Sequence, residues 1–175
     1  MPLEDDIAIL SRASLIGALE RDALRLIAFA AEARNLTRGD VLFRKGDRSD
    51  GGYVVTRGAI ELDPHEDGSP PAFVAHPGAL IGQVALFLRT TRAATATARE
   101  HSAVIRISPT LIKRMVDEYP HTATVLYDGM AAEVSKLTSG LEGVRQRLLA
   151  VGMPEQPEPR RPAPPASPLT APASP

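Results

Sequence analysis

An arginine set among small residues is the position at which this sequence best supports binding chemistry. Residues 82 to 98 read GQVALFLRTTRAATATA, with Gly82 at the start and Arg92 ten residues later. Glycine and alanine let another molecule approach the backbone closely. The guanidinium group of arginine is a planar set of N–H donors that can bind two oxygens of one phosphate. The combination indicates a local anion site.

The residues before Arg92 are expected to form the other half of that site. The apolar pattern predicts a short helix from Gly82 through Leu88, with Val84, Leu86 and Phe87 on its buried side. The first turn of a helix carries unpaired N–H groups and the positive end of its dipole, and both favour anions. Gly82 has no side chain to block the approach, and Ala93 leaves its own N–H accessible.

Other kinds of chemistry find little support. The chain has no cysteine, which excludes disulfides, thiolate metal sites and a thiol nucleophile. Neither the G-x-S-x-G elbow of hydrolases nor the G-x-x-x-x-G-K phosphate loop occurs. The acidic pairs are typical of solvated surface rather than of an acid and base, and the histidines lack metal-ligand spacing. These are Asp5 and Asp6, Glu61 and Asp63, and His65, His76, His101 and His121. We predict a protein that is not an enzyme and has neither metal nor cofactor.

Composition and charge describe an ordinary globular chain. Its 175 residues are 43% hydrophobic and 23% charged, enough to bury a core. The formal net charge of -1 gives no general attraction for nucleic acid or an anionic membrane. The first ten residues, MPLEDDIAIL, are acidic where a signal peptide would be basic, and no apolar run approaches the ~20 residues needed to cross a bilayer. We expect a soluble, cytoplasmic protein that binds neither nucleic acid nor membrane.

The order of elements predicts an α+β fold. Helical spacing of Ile7, Leu10 and Ser14, then of Leu24, Ile27 and Ala31, with Gly17 as a break, indicates two opening helices. From Thr37 onward short β-rich runs recur about every ten residues, which is typical of an antiparallel roll. These runs are RGDVLFRKGD, GGYVVTRGAIELD, AFVAH at 72–76 and SAVIRIS at 102–108. We predict an antiparallel β-roll of the jelly-roll (double-stranded β-helix) type with N-terminal helices, a short helix at Gly82 and C-terminal helices.

The chain after Pro109 is expected to be helical, with a kink at Pro120 and a long segment to about Ala150. Apolar residues spaced by three and four form a seam that could pack on the roll or against a second copy of the chain. The seam comprises Tyr127, Met130, Val134, Leu137, Leu141, Val144, Leu148 and Val151. Beyond Gly152 lie nine of the sixteen prolines, which predicts a disordered tail. The predicted parts are 1–118 (β-roll with N-terminal helices), 119–151 (lid or dimerisation helix) and 152–175 (proline-rich tail).

These features resemble the cyclic nucleotide-binding domain family, which is shared by the bacterial catabolite activator, the regulatory subunits of cyclic-AMP-dependent protein kinase and cyclic-nucleotide-gated channels. The resemblance covers about residues 5 to 130 and includes GDVLFRKGD, GGYVVTRGAIEL and PGALIGQVAL. The phosphate-binding cassette of the family resembles G-E-x-A-L, with R-[AST]-A ten residues after the glycine, and 82–98 matches it. By this resemblance the amides of Gly82, Ala85 and Ala93 would bind the cyclic phosphate, and Arg92 would be its counter-ion. The implied ligand-binding set is Gly82, Gln83, Val84, Ala85, Arg92, Ala93 and Ala94.

Two positions of the cassette bear on the ligand, and the first departs from the family pattern. Gln83 stands where the family usually has a glutamate that accepts a hydrogen bond from the ribose 2′-hydroxyl. Exchanging a charged for a neutral acceptor costs about 1 kcal/mol, or several-fold to tenfold in affinity. Ala93 offers no hydroxyl to the guanine amino group, so the resemblance implies cyclic AMP (cAMP) in preference to cyclic GMP (cGMP). Tyr127 or Met130 could cover the base, although a core or seam role is favoured for both.

The predicted function is that of a regulatory module that senses a cyclic nucleotide and responds through its C-terminal helix. We expect a homodimer formed by that helix and a downstream protein partner that the sequence does not identify. A winged helix-turn-helix follows the long helix in the transcription factors of this family, and here the proline-rich tail takes its place, so DNA binding is not expected. The alternative is a scaffold of the same fold that dimerises without binding a nucleotide.

Overall fold

Two helices open the chain and contribute one side of the core. The computed structural model describes residues 3–65, 67–68, 70–132 and 135. Helix α1 (Leu3–Leu10) and helix α2 (Arg21–Ala30) are separated by a single 3-10 turn, Ile16–Ala18. Their buried apolar residues include those predicted from the helical spacing, namely Ile7, Leu10, Leu24 and Ile27. Ser14 and Ala31 were expected to continue the two patterns and lie outside both helices.

The described residues also form eight short strands, which confirms the predicted antiparallel roll. The strands are β1 (Glu32–Leu36), β2 (Val41–Phe43), β3 (Gly52–Arg57), β4 (Ile60–Asp63), β5 (Phe73–Ala75), β6 (Leu80–Ile81), β7 (Thr95–Ala98) and β8 (Ser102–Ile107). They pair into two antiparallel sheets in the orders β1-β8-β3-β6 and β2-β7-β4-β5. With the flanking helices the fold is α+β.

Alternating side chains of the central strands divide the core in two. Successive residues of a strand point to opposite faces, so β3 and β8 each serve both sides of their sheet. Val54 and Ile105 pack with the helices, whereas Tyr53, Val55 and Val104 pack between the two sheets. The inner side of β3 therefore packs in the core between the two sheets.

A third helix follows the roll and ends where the sequence predicted a break. Helix α3 (Pro109–Glu118) begins with proline in its first turn, and the Ser108 hydroxyl oxygen accepts a hydrogen bond from the Leu111 amide. The helical conformation is lost at Tyr119 and Pro120 and returns over 121–132. The break at Pro120 is thus found.

Most of the predicted seam and tail fall on residues that are not described. Tyr127 and Met130 are described, and Tyr127 is 73% exposed. The seam from Val134 onward and the tail at 152–175 lie outside the described residues. Among the described helices, none has the length and apolar character needed to cross a membrane.

Candidate functional site

The turn that starts at Gly82 is tighter and shorter than predicted. Gly82 adopts a left-handed backbone conformation, with φ 72° and ψ 37°, and caps a 3-10 helix over Gln83–Leu86 rather than a helix through Leu88. The Ala85 amide donates to the Gly82 carbonyl at 3.0 Å within this turn. An incoming phosphate could bind that amide only by sharing or opening this hydrogen bond.

Val84 was expected on the buried side of this turn, and that expectation is wrong. Its side chain is 47% exposed, whereas Leu86 is buried against the helices and Phe87 is partly buried there. Residues two apart in a helix point to nearly opposite sides, so Val84 and Leu86 could not share one face. Val84 instead faces the cavity described below.

Arg92 is buried as a charged side chain beneath Gly82. Only 5% of the residue is exposed. Its backbone is tied to the loop between β2 and β3, because the Arg92 amide donates to the Asp47 carbonyl and the Gly46 amide donates to the Arg92 carbonyl, both at 2.9 Å. The guanidinium carbon lies 4.1 Å from the centre of the Phe43 ring and 5.2 Å from that of Tyr53. These aromatic faces stabilise a desolvated cation.

The guanidinium has one carboxylate partner that sequence reasoning missed. Its Nη2 donates to Asp50 Oδ1 and to the Gly51 carbonyl, each at 2.9 Å. Its Nη1 and Nε are buried and have no hydrogen-bond partner among the described residues. Buried donors are rarely left unpaired, so these two nitrogens indicate a place for an acceptor that the described residues do not supply.

Asp50 joins Arg92 to a wider network. Its carboxylate accepts a hydrogen bond from the Tyr53 hydroxyl at 3.1 Å, and Oδ2 lies 2.9 Å from Nε of Arg106, outside hydrogen-bond geometry. Partial burial raises the pKa of Asp50, but the Tyr53 hydroxyl and the positive charges of Arg106 and Arg92 together bring it below its ordinary value. Asp50 is therefore ionised at neutral pH and balances part of the charge of Arg92.

The lowered pKa of Asp50 gives a pH prediction. A carboxyl group whose pKa is lower in the folded state stabilises the protein above its unfolded-state pKa, which is near 3.8. This contribution is lost as pH falls through the folded-state pKa. In urea unfolding measured from neutral pH downward, Asp50→Asn should be less stable than wild type at neutral pH, and the difference should shrink in acid. The exposed Asp128→Asn is the control, and parallel stability curves for wild type and Asp50→Asn would contradict the prediction.

An open cavity of about 380 Å³ lies over Arg92 and brings most of the predicted residues together. It is lined by Gly82, Val84, Ala85, Arg92, Ala93 and Ala94, while Gln83 is not among its lining residues. The wall also has residues that were not predicted, including Phe43, Leu62, Phe73, Leu80 and Ile81. A mostly apolar cleft with one charged corner is typical of small-molecule sites.

Tyr127 and Met130 do not cover this cavity. They line a separate cleft of about 500 Å³, together with Leu86 and Phe87 and residues of α3 and the following helix. The exposure of Tyr127 also contradicts a core role for it among the described residues. The described part of the chain therefore leaves the cavity over Arg92 without a lid from either residue.

Comparison with known proteins identifies the family to which this fold belongs. The family model for the cyclic nucleotide-binding domain matches residues 33–119. The N-terminal domain of a transcriptional regulator from Streptomyces coelicolor A3(2) is 30% identical, with a TM-score of 0.69 over 76% of this chain and 94% of that one. A cyclic nucleotide-binding-like protein from Brucella abortus is 37% identical, with a TM-score of 0.59 over 65% of this chain and 98% of that one.

Curated relatives are more distant and much longer. The regulatory subunit of cAMP-dependent protein kinase from Yarrowia lipolytica is 27% identical over 142 residues, which are 81% of this chain and 37% of the relative. Lysophospholipase nte1 from Aspergillus fumigatus is 28% identical over 133 residues, which are 75% of this chain and 8% of the relative. The chain thus spans only a part of the length of these proteins. Its fold, its family match and its two solved relatives show that it belongs to the cyclic nucleotide-binding domain family.

Proposed function

We propose that this chain is a sensor module that binds a cyclic nucleotide, with cAMP preferred, in the cavity over Arg92. The observation that carries the proposal is the buried guanidinium, whose Nη1 and Nε lack partners among the described residues and which lies beneath Gly82 at an open cavity. A cyclic phosphate offers the acceptors that these donors need. The name of the Yarrowia relative, the regulatory subunit of a cAMP-dependent protein kinase, is consistent with this ligand.

The geometry also suggests how a ligand would change the protein. A bidentate contact through Nη1 and Nη2 would bring the phosphate into competition with Asp50, which already accepts from Nη2. Asp50 would keep Tyr53 and Arg106 as partners. Binding would then weaken the contact between Arg92 and the loop before β3 and favour a second arrangement of the cassette. A ligand shifts such a balance only through its different affinities for the two states.

The remaining wall of the cavity suits the base of the nucleotide, and the contact of the cassette with the helices suits transmission of a signal. The apolar wall formed by Leu62, Phe73 and Leu80 can pack against a purine. Ala93 has no hydroxyl to bind the guanine amino group, which supports cAMP over cGMP.

Leu86 packs with α3 residues such as Ile112, so movement of the turn would reach the C-terminal helices. The proposal also includes a homodimer formed through the C-terminal helix, a cytoplasmic location and the absence of an enzymatic activity.

Calorimetry with cAMP and cGMP, each up to millimolar concentration, tests the proposal directly. We expect both to bind and cAMP to bind more tightly. Thermal unfolding should show stabilisation of about 2.7 kcal/mol at one hundred times the dissociation constant. If neither nucleotide binds, and light scattering gives the same dimer with and without cAMP, the scaffold alternative is the better description.

Gln83→Glu is expected to tighten binding of cAMP about five- to tenfold, because an ionised acceptor for the ribose 2′-hydroxyl contributes about 1 kcal/mol more than an amide. Calorimetry measures the change. Since a glutamate in the first turn also interacts with the helix dipole, 2′-deoxy-cAMP is the control ligand. The gain should vanish with this ligand, and an equal gain for both ligands would contradict the assigned role of position 83.

A further inference from the structure

We propose that the mouth of the cavity holds a second phosphate site, formed by Arg48 and Arg89, which suits the module to a nucleotide with two phosphates such as a cyclic dinucleotide. The proposal rests on the function proposed above, since the first phosphate would bind at Arg92. It extends that function by naming a wider class of ligand.

The two arginines lie at one polar cleft. A cleft of about 700 Å³ is lined by Arg48, Ser49, Arg89, Thr90 and Thr91. Both arginine side chains are exposed, and within the part of the chain that the structure describes neither forms an ion pair. The two guanidinium groups and three hydroxyl groups can all donate hydrogen bonds to a phosphate in an open site.

The cleft adjoins the cavity over Arg92. Ser49, Thr90 and Thr91 line both spaces. Backbone contacts hold the two loops together at this point, because Arg48 and Thr91 form a β-bridge and the Ser49 amide donates to the Thr90 carbonyl at 2.9 Å. A ligand larger than a mononucleotide could therefore contact both spaces by passing over these shared residues.

The carboxylates of this loop are already engaged elsewhere. Asp47 accepts a hydrogen bond from the Arg44 amide at 2.8 Å, and Asp50 binds Arg92 and faces Arg106. A ligand with a single phosphate at Arg92 would leave Arg48 and Arg89 without an anion. A second phosphate at the mouth would place one negative charge between the two guanidinium groups.

The test compares cyclic di-AMP with cAMP, because both have adenine and they differ in the number of phosphates. Calorimetry would use wild type, the double variant Arg48→Gln/Arg89→Gln and the control double variant Arg38→Gln/Arg57→Gln. The control removes the same charge from two other exposed arginines that also lack an ion pair among the described residues. We expect the mouth variant, Arg48→Gln/Arg89→Gln, to bind cyclic di-AMP about tenfold more weakly than wild type. Its affinity for cAMP, and both affinities of the control variant, should change less than about threefold.

Three outcomes would overturn the proposal. If wild type binds cAMP and not cyclic di-AMP, the mouth has no such role and the proposed function stands. If the mouth variant weakens both ligands equally, the arginines only provide a general positive field. If wild type binds neither ligand, the proposed function fails and this proposal fails with it. Circular dichroism and melting curves establish that each variant is folded before binding is compared.

Discussion

Arg92→Ala is expected to abolish measurable binding of cAMP. Removing one partner from a buried ionic contact costs about 3 to 5 kcal/mol, which corresponds to at least a hundredfold loss of affinity. The side chain is 3% exposed and is the cation at the charged corner of the cavity. Calorimetry measures the loss, and Arg38→Ala, which changes an exposed arginine, is the control.

Folding and charge can be separated from phosphate recognition with a second variant. Arg92→Ala also removes a partner of Asp50 and the group that packs on Phe43, so circular dichroism must show that the variant is folded. Arg92→Lys keeps the charge and loses the planar fork, and we expect it to bind more weakly than wild type and better than alanine. Binding of cAMP by a folded Arg92→Ala at wild-type affinity would refute the proposed site.

Gly82→Ala is expected to damage both the stability of the protein and its affinity for cAMP. The left-handed conformation at φ 72° costs a non-glycine residue about 1 to 2 kcal/mol. In addition, a Cβ atom at this position would overlap Nη1 of Arg92 and displace the guanidinium. We expect a lower melting temperature and an affinity reduced by at least about tenfold, since recognition by Arg92 depends on its position.

Gly39→Ala is a control that isolates the backbone cost. Gly39 also has a positive φ, 89°, but nothing lies within 4 Å of an added Cβ atom. Both variants should therefore lose stability, whereas only Gly82→Ala should lose affinity. Equal effects of the two variants on cAMP binding would show that contact with Arg92 is not the cause.

The strands that sequence reasoning missed owe their conformation to distant partners. β1 has the polar sequence EARNL, lies at the edge of its sheet, and pairs along its whole length with β8, about seventy residues later. β7 reads TATA, and its Ala96 and Ala98 are fully buried between neighbouring strands. Neither segment has the large apolar alternation that identifies a strand locally. The runs that were predicted, such as SAVIRIS, have that alternation.

The residues of the site also fall into two groups, those that a short stretch of sequence reveals and those that only the fold brings together. Gly82, Arg92 and Ala93 could be singled out because they lie in one short stretch whose composition is itself informative, and the family resemblance added Ala94. The structure places all four at one cavity, and their binding roles stay predictions. Asp50 lies 42 residues from Arg92 along the chain, and only the loop before β3 brings the two together. The only local sign of this loop is a run of glycines, and this run does not indicate a carboxylate next to the arginine. The error at Val84 came from assigning residues two apart to one helix face.

The hydrogen bond from Tyr53 to Asp50 has a practical consequence. The chain has three tyrosines and no tryptophan, so its intrinsic ultraviolet emission comes from tyrosine alone. Tyr53 is 1% exposed, and its hydroxyl donates to the same carboxylate that holds Arg92. A carboxylate acceptor quenches the excited phenol. An occupant that displaces Asp50 from Arg92, while Asp50 keeps Tyr53 as a partner, leaves a stronger acceptor on the phenol and should lower the emission of Tyr53. The protein thus carries its own optical reporter beside Arg92, and no dye is needed to follow a titration.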